Sequence, residues 1–142
     1  MIPTLENRYA PAGRPMHAVF LAGMFPLFLG AALGDAAYAQ SFDIQWNNFA
    51  SWLLVGALLF SGIALVLALI DLLRPARRVA GTVAYVLALL ALWVVGIFNA
   101  LVHARDAWGS MPAGLVLSVL AVVLACAVIW LGFRAPPVRS PV

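Results

Sequence analysis

Four long apolar stretches occupy most of this 142-residue chain. They cover about residues 17–39, 49–73, 79–102 and 113–133, and each is long enough for a helix to cross a bilayer. The stretches are too long for strands and do not alternate between apolar and polar residues. The sequence therefore predicts an all-α integral membrane four-helix bundle, with a segment 1–16 before it and a disordered tail 134–142 after it.

The composition predicts that the chain lies in a lipid bilayer. Hydrophobic residues make up 65% of it and charged residues 9%, with a mean hydropathy of +1.06, whereas soluble domains are about 25% charged. The net charge of +3 does not indicate nucleic-acid binding, because the eight basic residues are all arginines placed near the ends of the apolar stretches, where residues that determine membrane topology lie.

The arginines also predict an orientation. Seven of them fall on one side of the predicted membrane: Arg8, Arg14, Arg74, Arg77, Arg78, Arg134 and Arg139. Arg105 alone falls on the other side. Because short basic loops stay in the cytoplasm, we expect both termini inside and the loops around Asp43 and Met111 outside. This is the topology of a multi-pass protein of the bacterial inner membrane.

The first stretch has a second interpretation. Ala37-Tyr38-Ala39 resembles the end of a cleaved secretory signal. The long apolar run, with Pro26 inside it and Asp35 just before the supposed cleavage point, favours a retained span instead.

Polar residues concentrate near the predicted outer face. Ionisable side chains within a membrane are rare and usually functional. Asn99, His103 and Asp106 are spaced to share one stripe of a helix. We expect His103 to pair with Asp35 or Asp106. The predicted outer polar or ligand site comprises Asp35, Asn48, Trp52, Asn99, His103 and Asp106.

Simpler interpretations stand beside this one. Asn47 or Asn48 is suited to cap the second helix, and tryptophans at this depth commonly form an interfacial belt. On the inner face, Asp71 is expected to form an ion pair with Arg74.

The chemistry that the residues allow is narrow. The two histidines, His17 and His103, are predicted at opposite membrane faces, about 30 Å apart, so a bis-histidine b-haem within one protomer is not expected. A haem held by a single histidine, with methionine or an open position as the other ligand, is left as an alternative. No metal-ligand spacing, phosphate loop or nucleophile motif is present, so we predict no metal and no catalytic residues, and no enzymatic activity of the chain alone.

Small residues recur at helical spacing, and such residues let helices approach closely. The pairs are Gly30/Gly34, Ala57/Ser61, Ala64/Ala68, Gly114/Ser118 and Ala121/Ala125. They predict helix-packing faces, within one bundle or in a homo- or hetero-oligomer.

Several short motifs follow one another in a specific order. They are His17, Phe25-Pro26, Asp35, Trp52-Leu53-Leu54 with Gly56, Leu69-Ile70-Asp71, and Asn99 through His103. Over residues 14–133 the chain resembles a family of small four-helix bacterial membrane proteins classed as a domain of unknown function. Many relatives begin the first span with His-Pro and carry another histidine directly before Phe-Pro. This chain has Ala18 in the place of that proline and Met24 in the place of that histidine, which leaves the outer site as the better candidate.

The resemblance implies a membrane companion of a periplasmic quinoprotein sugar or aldose dehydrogenase. The leading hypothesis is an accessory anchor or electron-transfer subunit, with a quinone as the expected acceptor near Asp35, Asn99 and His103. The alternatives are a small proton or solute transporter and a purely structural assembly subunit.

Overall fold

A computed structural model describes residues 15–74 and 81–133. Helices α1 (Pro15–Ser41), α2 (Ile44–Leu73), α3 (Thr82–His103) and α5 (Ala113–Phe133) are each long and apolar enough to cross a membrane. The short helix α4 (Ala107–Ser110) lies between α3 and α5. Within the described residues there is no strand, which confirms the predicted all-α, four-span fold.

The four long helices pack in a ring. Helix α1 packs on α2, α2 on α3, α3 on α5 and α5 on α1, so α1 and α3 stand across the diagonal. Because successive long helices are joined by short connections, their directions alternate. One end of the bundle carries the α1–α2 and α3–α5 connections. We call it the outer end, after the orientation that the arginines predict, and the opposite end the inner end.

The buried residues of all four long helices recur with a heptad spacing. On each helix, six of the buried residues are separated by alternating steps of four and three. We call them the seam residues. They are His17, Leu21, Met24, Phe28, Ala31 and Asp35 on α1; Ala50, Leu54, Ala57, Ser61, Ala64 and Ala68 on α2; Tyr85, Leu89, Leu92, Gly96, Asn99 and His103 on α3; and Gly114, Ser118, Ala121, Ala125, Val128 and Gly132 on α5. This spacing produces the left-handed, knobs-into-holes packing of helical bundles.

Two hydrogen bonds cross the diagonal and fix the relative position of α1 and α3. His17 pairs with Tyr85 near the inner end, and Asp35 pairs with His103 near the outer end. Both pairs join residues 68 positions apart. A constant separation in sequence means that α1 and α3 run parallel and stay in the same register along the bundle.

The small residues pack within this bundle. A methyl group added to Gly34 would lie 3.2 Å from Ala50 Cβ, and one added to Gly96 would lie 2.8 Å from Leu58 Cδ2. Ala57, Ala64 and Ala121 are fully buried in the same core. The small-residue faces are thus covered by the chain's own helices, and an oligomer would have to use other surfaces.

Two local predictions at the outer end were wrong. Neither Asn47 nor Asn48 caps α2, because the helix begins earlier: the Asp43 side chain accepts a hydrogen bond from the backbone N–H of Gln45. Asp106 does not continue the stripe of Asn99, because α3 ends at His103 and Asp106 precedes α4. The predicted tail 134–142 and most of the predicted segment 1–16 lie outside the described residues.

Candidate functional site

Four buried polar side chains from three helices form one hydrogen-bonded network near the outer end. The members are Asp35 of α1, Asn99 and His103 of α3, and Ser118 of α5. Asp35 and Asn99 are 0% exposed, and His103 is 6% exposed. A buried polar group in a membrane is costly unless it is paired, and here each side chain hydrogen-bonds another member.

Asp35 lies at the centre of the network and uses both carboxylate oxygens. Its Oδ1 lies 2.7 Å from Nε2 of His103. Its Oδ2 accepts a hydrogen bond from the Ser118 hydroxyl at 2.5 Å. The Ser118 oxygen accepts in turn from the side-chain amide of Asn99, at 2.7 Å. The carboxylate of α1 is therefore bonded to both α3 and α5.

The partners of His103 determine where its protons lie. Nδ1 of the ring is 3.0 Å from the backbone carbonyl oxygen of Asn99, and a carbonyl only accepts. Nδ1 therefore carries a proton, and a single further proton lies between Nε2 and Asp35. The pair is either imidazolium with carboxylate or imidazole with carboxylic acid, and its net charge is zero in both forms. Such a pair can exist in apolar surroundings and still hold a transferable proton.

One atom of the network has no hydrogen-bond partner. Within the described residues, Oδ1 of Asn99 is buried and makes no hydrogen bond. The amide orientation is set by Ser118: its hydroxyl donates to Asp35, so it must accept from the Asn99 nitrogen. The orphan atom is thus a buried acceptor on a side chain of the network.

Glycine at position 114 leaves room for the imidazole. A methyl group there would approach Cε1 of His103 to 2.9 Å, closer than real Cβ atoms come. In the sequence, Gly114 and Ser118 stand out only as a small-residue pair. Ser61, in the corresponding pair on α2, donates to the carbonyl of Ala57 in its own helix, whereas Ser118 donates to Asp35 of α1. The buried seam spacing on α5 is the signal that would have placed Ser118 toward Asp35.

The other predicted members of the outer site lie elsewhere. Asn48 and Asp106 are exposed, and Trp52 is 76% exposed. Asn48 and Trp52 line a separate cavity on the outside of α2. Asn47, the neighbour of Asn48, is the buried one; its side-chain oxygen accepts from the Ser110 hydroxyl at 3.2 Å. The structure therefore brings together Asp35, Asn99 and His103 and separates Asn48, Trp52 and Asp106 from them.

At the inner end the structure places a second buried pair. Nε2 of His17 lies 2.6 Å from the Tyr85 hydroxyl, and both residues are at most 2% exposed. The imidazoles of His17 and His103 are about 27 Å apart, since 18 residues of α1 separate His17 from Asp35 at 1.5 Å each. No single haem iron reaches both. Among the described residues, no group of three or more His, Cys, Asp or Glu is placed to hold a metal ion.

The predicted inner ion pair stays a prediction. Asp71 is buried and Arg74 is exposed. The contact described between them is a backbone one, in which the Arg74 N–H donates to the Asp71 carbonyl at 3.3 Å.

A comparison with known protein families assigns the chain to one of them. A family described as predicted membrane protein, DUF2231, matches residues 13–136. The chain belongs to this family. It matches no curated protein and no solved structure.

The family assignment accounts for most of the chain, and it fits the four apolar helices. In this DUF2231 member, four polar residues of these motifs are seam residues: His17 and Asp35 on α1, and Asn99 and His103 on α3. Asp71 is buried on α2 beyond the last seam residue of that helix. The family description supplies membrane residence and no activity.

Proposed function

We propose that the chain is an accessory subunit of the bacterial inner membrane that anchors an oxidoreductase on the outer side. The enzyme would pass its electrons to a quinone in the adjoining bilayer. Membrane residence is shared by the family. The link to a periplasmic dehydrogenase comes from the resemblance of the motifs, and the orientation comes from the arginines. The outer surface of the bundle supplies the structural support.

The observation that carries this proposal is an exposed aromatic pair on the two outer connections. Phe42, between α1 and α2, stacks on Trp108 of α4, with ring centroids 5.7 Å apart and planes 17° apart. The two residues are 59% and 75% exposed. Exposed aromatic residues of this kind anchor protein interfaces when a partner covers them.

The backbone of Phe42 supports the same interpretation. Its φ is +54°, a conformation that a bulky residue rarely adopts and that costs free energy. Glycine or asparagine would adopt it more readily. A large apolar side chain held there in an exposed turn is more easily explained by recognition than by stability.

The buried network gives this surface a rigid base. Asp35, His103 and Ser118 tie the outer ends of α1, α3 and α5 together, and Ser110 of α4 bonds to Asn47 of α2. A surface that is already ordered loses little conformational entropy when a partner binds. An anchor benefits from this property.

The same geometry argues against the network as the quinone site. Both ring nitrogens of His103 are engaged, and its side chain is 1% exposed. A quinone carbonyl could reach the ring only after the bond to Asp35 opened. We therefore assign quinone reduction to the partner enzyme.

The transporter alternative receives no support from the middle of the bundle. There the seam is apolar apart from Ser61, whose hydroxyl bonds its own helix. About 27 Å separate the two polar ends along α1.

The proposal predicts that loss of the aromatic pair releases the enzyme from the membrane. In the native bacterium, the chain is deleted and replaced by wild type, by the double variant Phe42→Ala/Trp108→Ala, or by Phe98→Ala. Phe98 is a matched control, since it is 59% exposed on the outer half of α3. Dye-linked aldose dehydrogenase activity is measured in membrane and soluble fractions.

We expect the deletion and the double variant to move most of the activity to the soluble fraction, and Phe98→Ala to retain it. Activity that stays on the membrane in the deletion strain would reject the anchor role. Release by deletion with retention by the double variant would reject the aromatic surface. A reporter fused after α5 checks the orientation, and activity of that reporter outside the cell would place the surface on the wrong side.

A further inference from the structure

A second surface at the outer end is independent of the aromatic pair on the connections. It is an open cavity of about 780 Å³ on the exposed side of α2. Its lining consists of Asp43, Gln45, Trp46, Asn48, Phe49 and Trp52. We call it the α2 cavity.

Three of its six lining residues are aromatic. Trp46 and Phe49 meet edge to face, with centroids 6.5 Å apart and planes at 81°, so their faces stand nearly at right angles. Trp52 is 76% exposed and adds a third ring three residues further along α2. Ring faces arranged as adjoining walls attract organic cations, because the electron-rich face of each ring is negative.

Asp43 supplies a negative charge at one edge of these rings. Its Oδ1 caps α2 through the Gln45 N–H at 3.1 Å, which fixes the carboxylate in place. Within residues 15–74 and 81–133 no cationic side chain is paired with Asp43, and the lining of the α2 cavity contains no basic residue. An aromatic wall beside a carboxylate that has no cationic side-chain partner among the described residues is suited to an ammonium group and unsuited to a phosphate alone.

The depth of the cavity indicates the source of that ammonium group. Nine residues separate Asp43 from Trp52, which is about 14 Å along a helix axis. Asp43 precedes the helix, whereas Trp52 lies within the predicted span and faces outward. The cavity thus extends from the headgroup region into the edge of the hydrocarbon. A soluble amine needs no such apolar extension, whereas a lipid does.

We propose that the α2 cavity binds a phospholipid of the outer leaflet whose headgroup ends in an ammonium group. The ammonium lies beside Asp43 and against the faces of Trp46 and Phe49. The glycerol and first acyl carbons lie along Trp52. Asn48 and Gln45 offer amide donors to the phosphate oxygens.

The test measures lipid selectivity of the full chain in detergent and in nanodiscs, by native mass spectrometry with phosphatidylethanolamine, phosphatidylcholine or phosphatidylglycerol. The wild type is expected to retain the two ammonium lipids in preference to phosphatidylglycerol. Asp43→Asn removes the charge and keeps an equally good helix cap. We expect it, and Trp52→Leu, to reduce the preference about three- to tenfold.

Two matched controls separate this site from general membrane contact. Asp106→Asn removes another exposed outer carboxylate, and Phe98→Leu removes another exposed outer ring; neither residue lines the α2 cavity. Both controls are expected to keep wild-type selectivity. Equal retention of the three lipids by the wild type, or equal effects of Asp43→Asn and Asp106→Asn, would overturn the proposal.

Two further measurements distinguish a bound lipid from other occupants of the α2 cavity. Soluble choline or ethanolamine is expected to bind far more weakly than the lipids, and equal affinity would overturn the lipid assignment. A brominated phosphatidylethanolamine is expected to quench the Trp52 fluorescence, identified by difference from Trp52→Phe. Absence of that quenching together with a dimer, or with a bound protein, would assign the cavity to a second copy or to a partner.

Discussion

The two ends of the bundle share one geometry but use side chains of different chemistry. At each end a residue of α1 meets a residue of α3 across the diagonal, in the same register. The outer pair, Asp35 with His103, joins two groups that can carry full and opposite charges. The inner pair, His17 with Tyr85, joins groups that can bond without charge.

This difference indicates at which end the stability of the bundle depends on a connected hydrogen-bond network. A carboxylate deep in an apolar core needs a hydrogen-bond partner on each oxygen, and Ser118 of a third helix supplies the partner of the second oxygen of Asp35. An imidazole–phenol pair makes a smaller demand. The outer end should consequently lose more stability than the inner end when its pair is broken.

The largest effect is expected from replacing the Asp35 carboxylate. Asp35→Leu leaves His103 and Ser118 without their acceptor and should lower the free energy of unfolding by about 3 kcal/mol. Asp35→Asn should cost at most about 1 kcal/mol, because its amide can donate to Nε2 of a neutral His103 while its oxygen accepts from Ser118. Unfolding in detergent by titration with dodecyl sulfate measures both. Equal losses for the two variants would show that the network contributes by shape alone.

An intermediate effect is expected from crowding the His103 ring. Gly114→Ala places a methyl group 2.9 Å from Cε1 of His103, and overpacking of this kind costs about 1–3 kcal/mol. Gly109→Ala is the control, since nothing lies within 4 Å of its added methyl group. The same titration compares them. A Gly114→Ala protein as stable as the control would mean that the imidazole can shift without breaking its bond to Asp35.

The smallest effect is expected at the inner end. Tyr85→Phe keeps the ring, which packs near Gly132, and removes only the hydroxyl bonded to His17. Hydrogen bonds between membrane helices contribute about 0.6 kcal/mol on average, so the loss should be about 1 kcal/mol or less. A loss as large as that of Asp35→Leu would contradict the proposed difference between the two ends.

Much of the outer network followed from chain direction and depth. Asp35 and His103 lie near the same ends of the first and third spans, and these spans run parallel, so their pairing could be anticipated. Asn48 and Asp106 lie at a similar depth and were grouped with them. Depth specifies the layer of a residue, whereas membership of the network also requires the side chain to face inward.

The sequence of an apolar helix does not show which of its faces points toward the core. In a soluble bundle the outer face is polar and marks the buried face by contrast. Here the lipid-facing residues, such as Leu59 and Phe98, are as apolar as the core. The remaining signal is size: the seams of α2 and α5 consist largely of alanine, glycine and serine. Asn47 and Ser118 could have been assigned to the core by their spacing from these small residues.

The sequence by itself determined the number of spans, the membrane class and the placement of polar residues near the two ends, because the cost of exposing backbone and charge to lipid depends on length and composition. The tertiary structure decided the rotation of each helix about its own axis. That rotation joined Asp35 to His103 and Ser118 and left Trp52 in the α2 cavity. It depends on how side chains of different volume interlock between helices, and this interlocking is a property of four helices together.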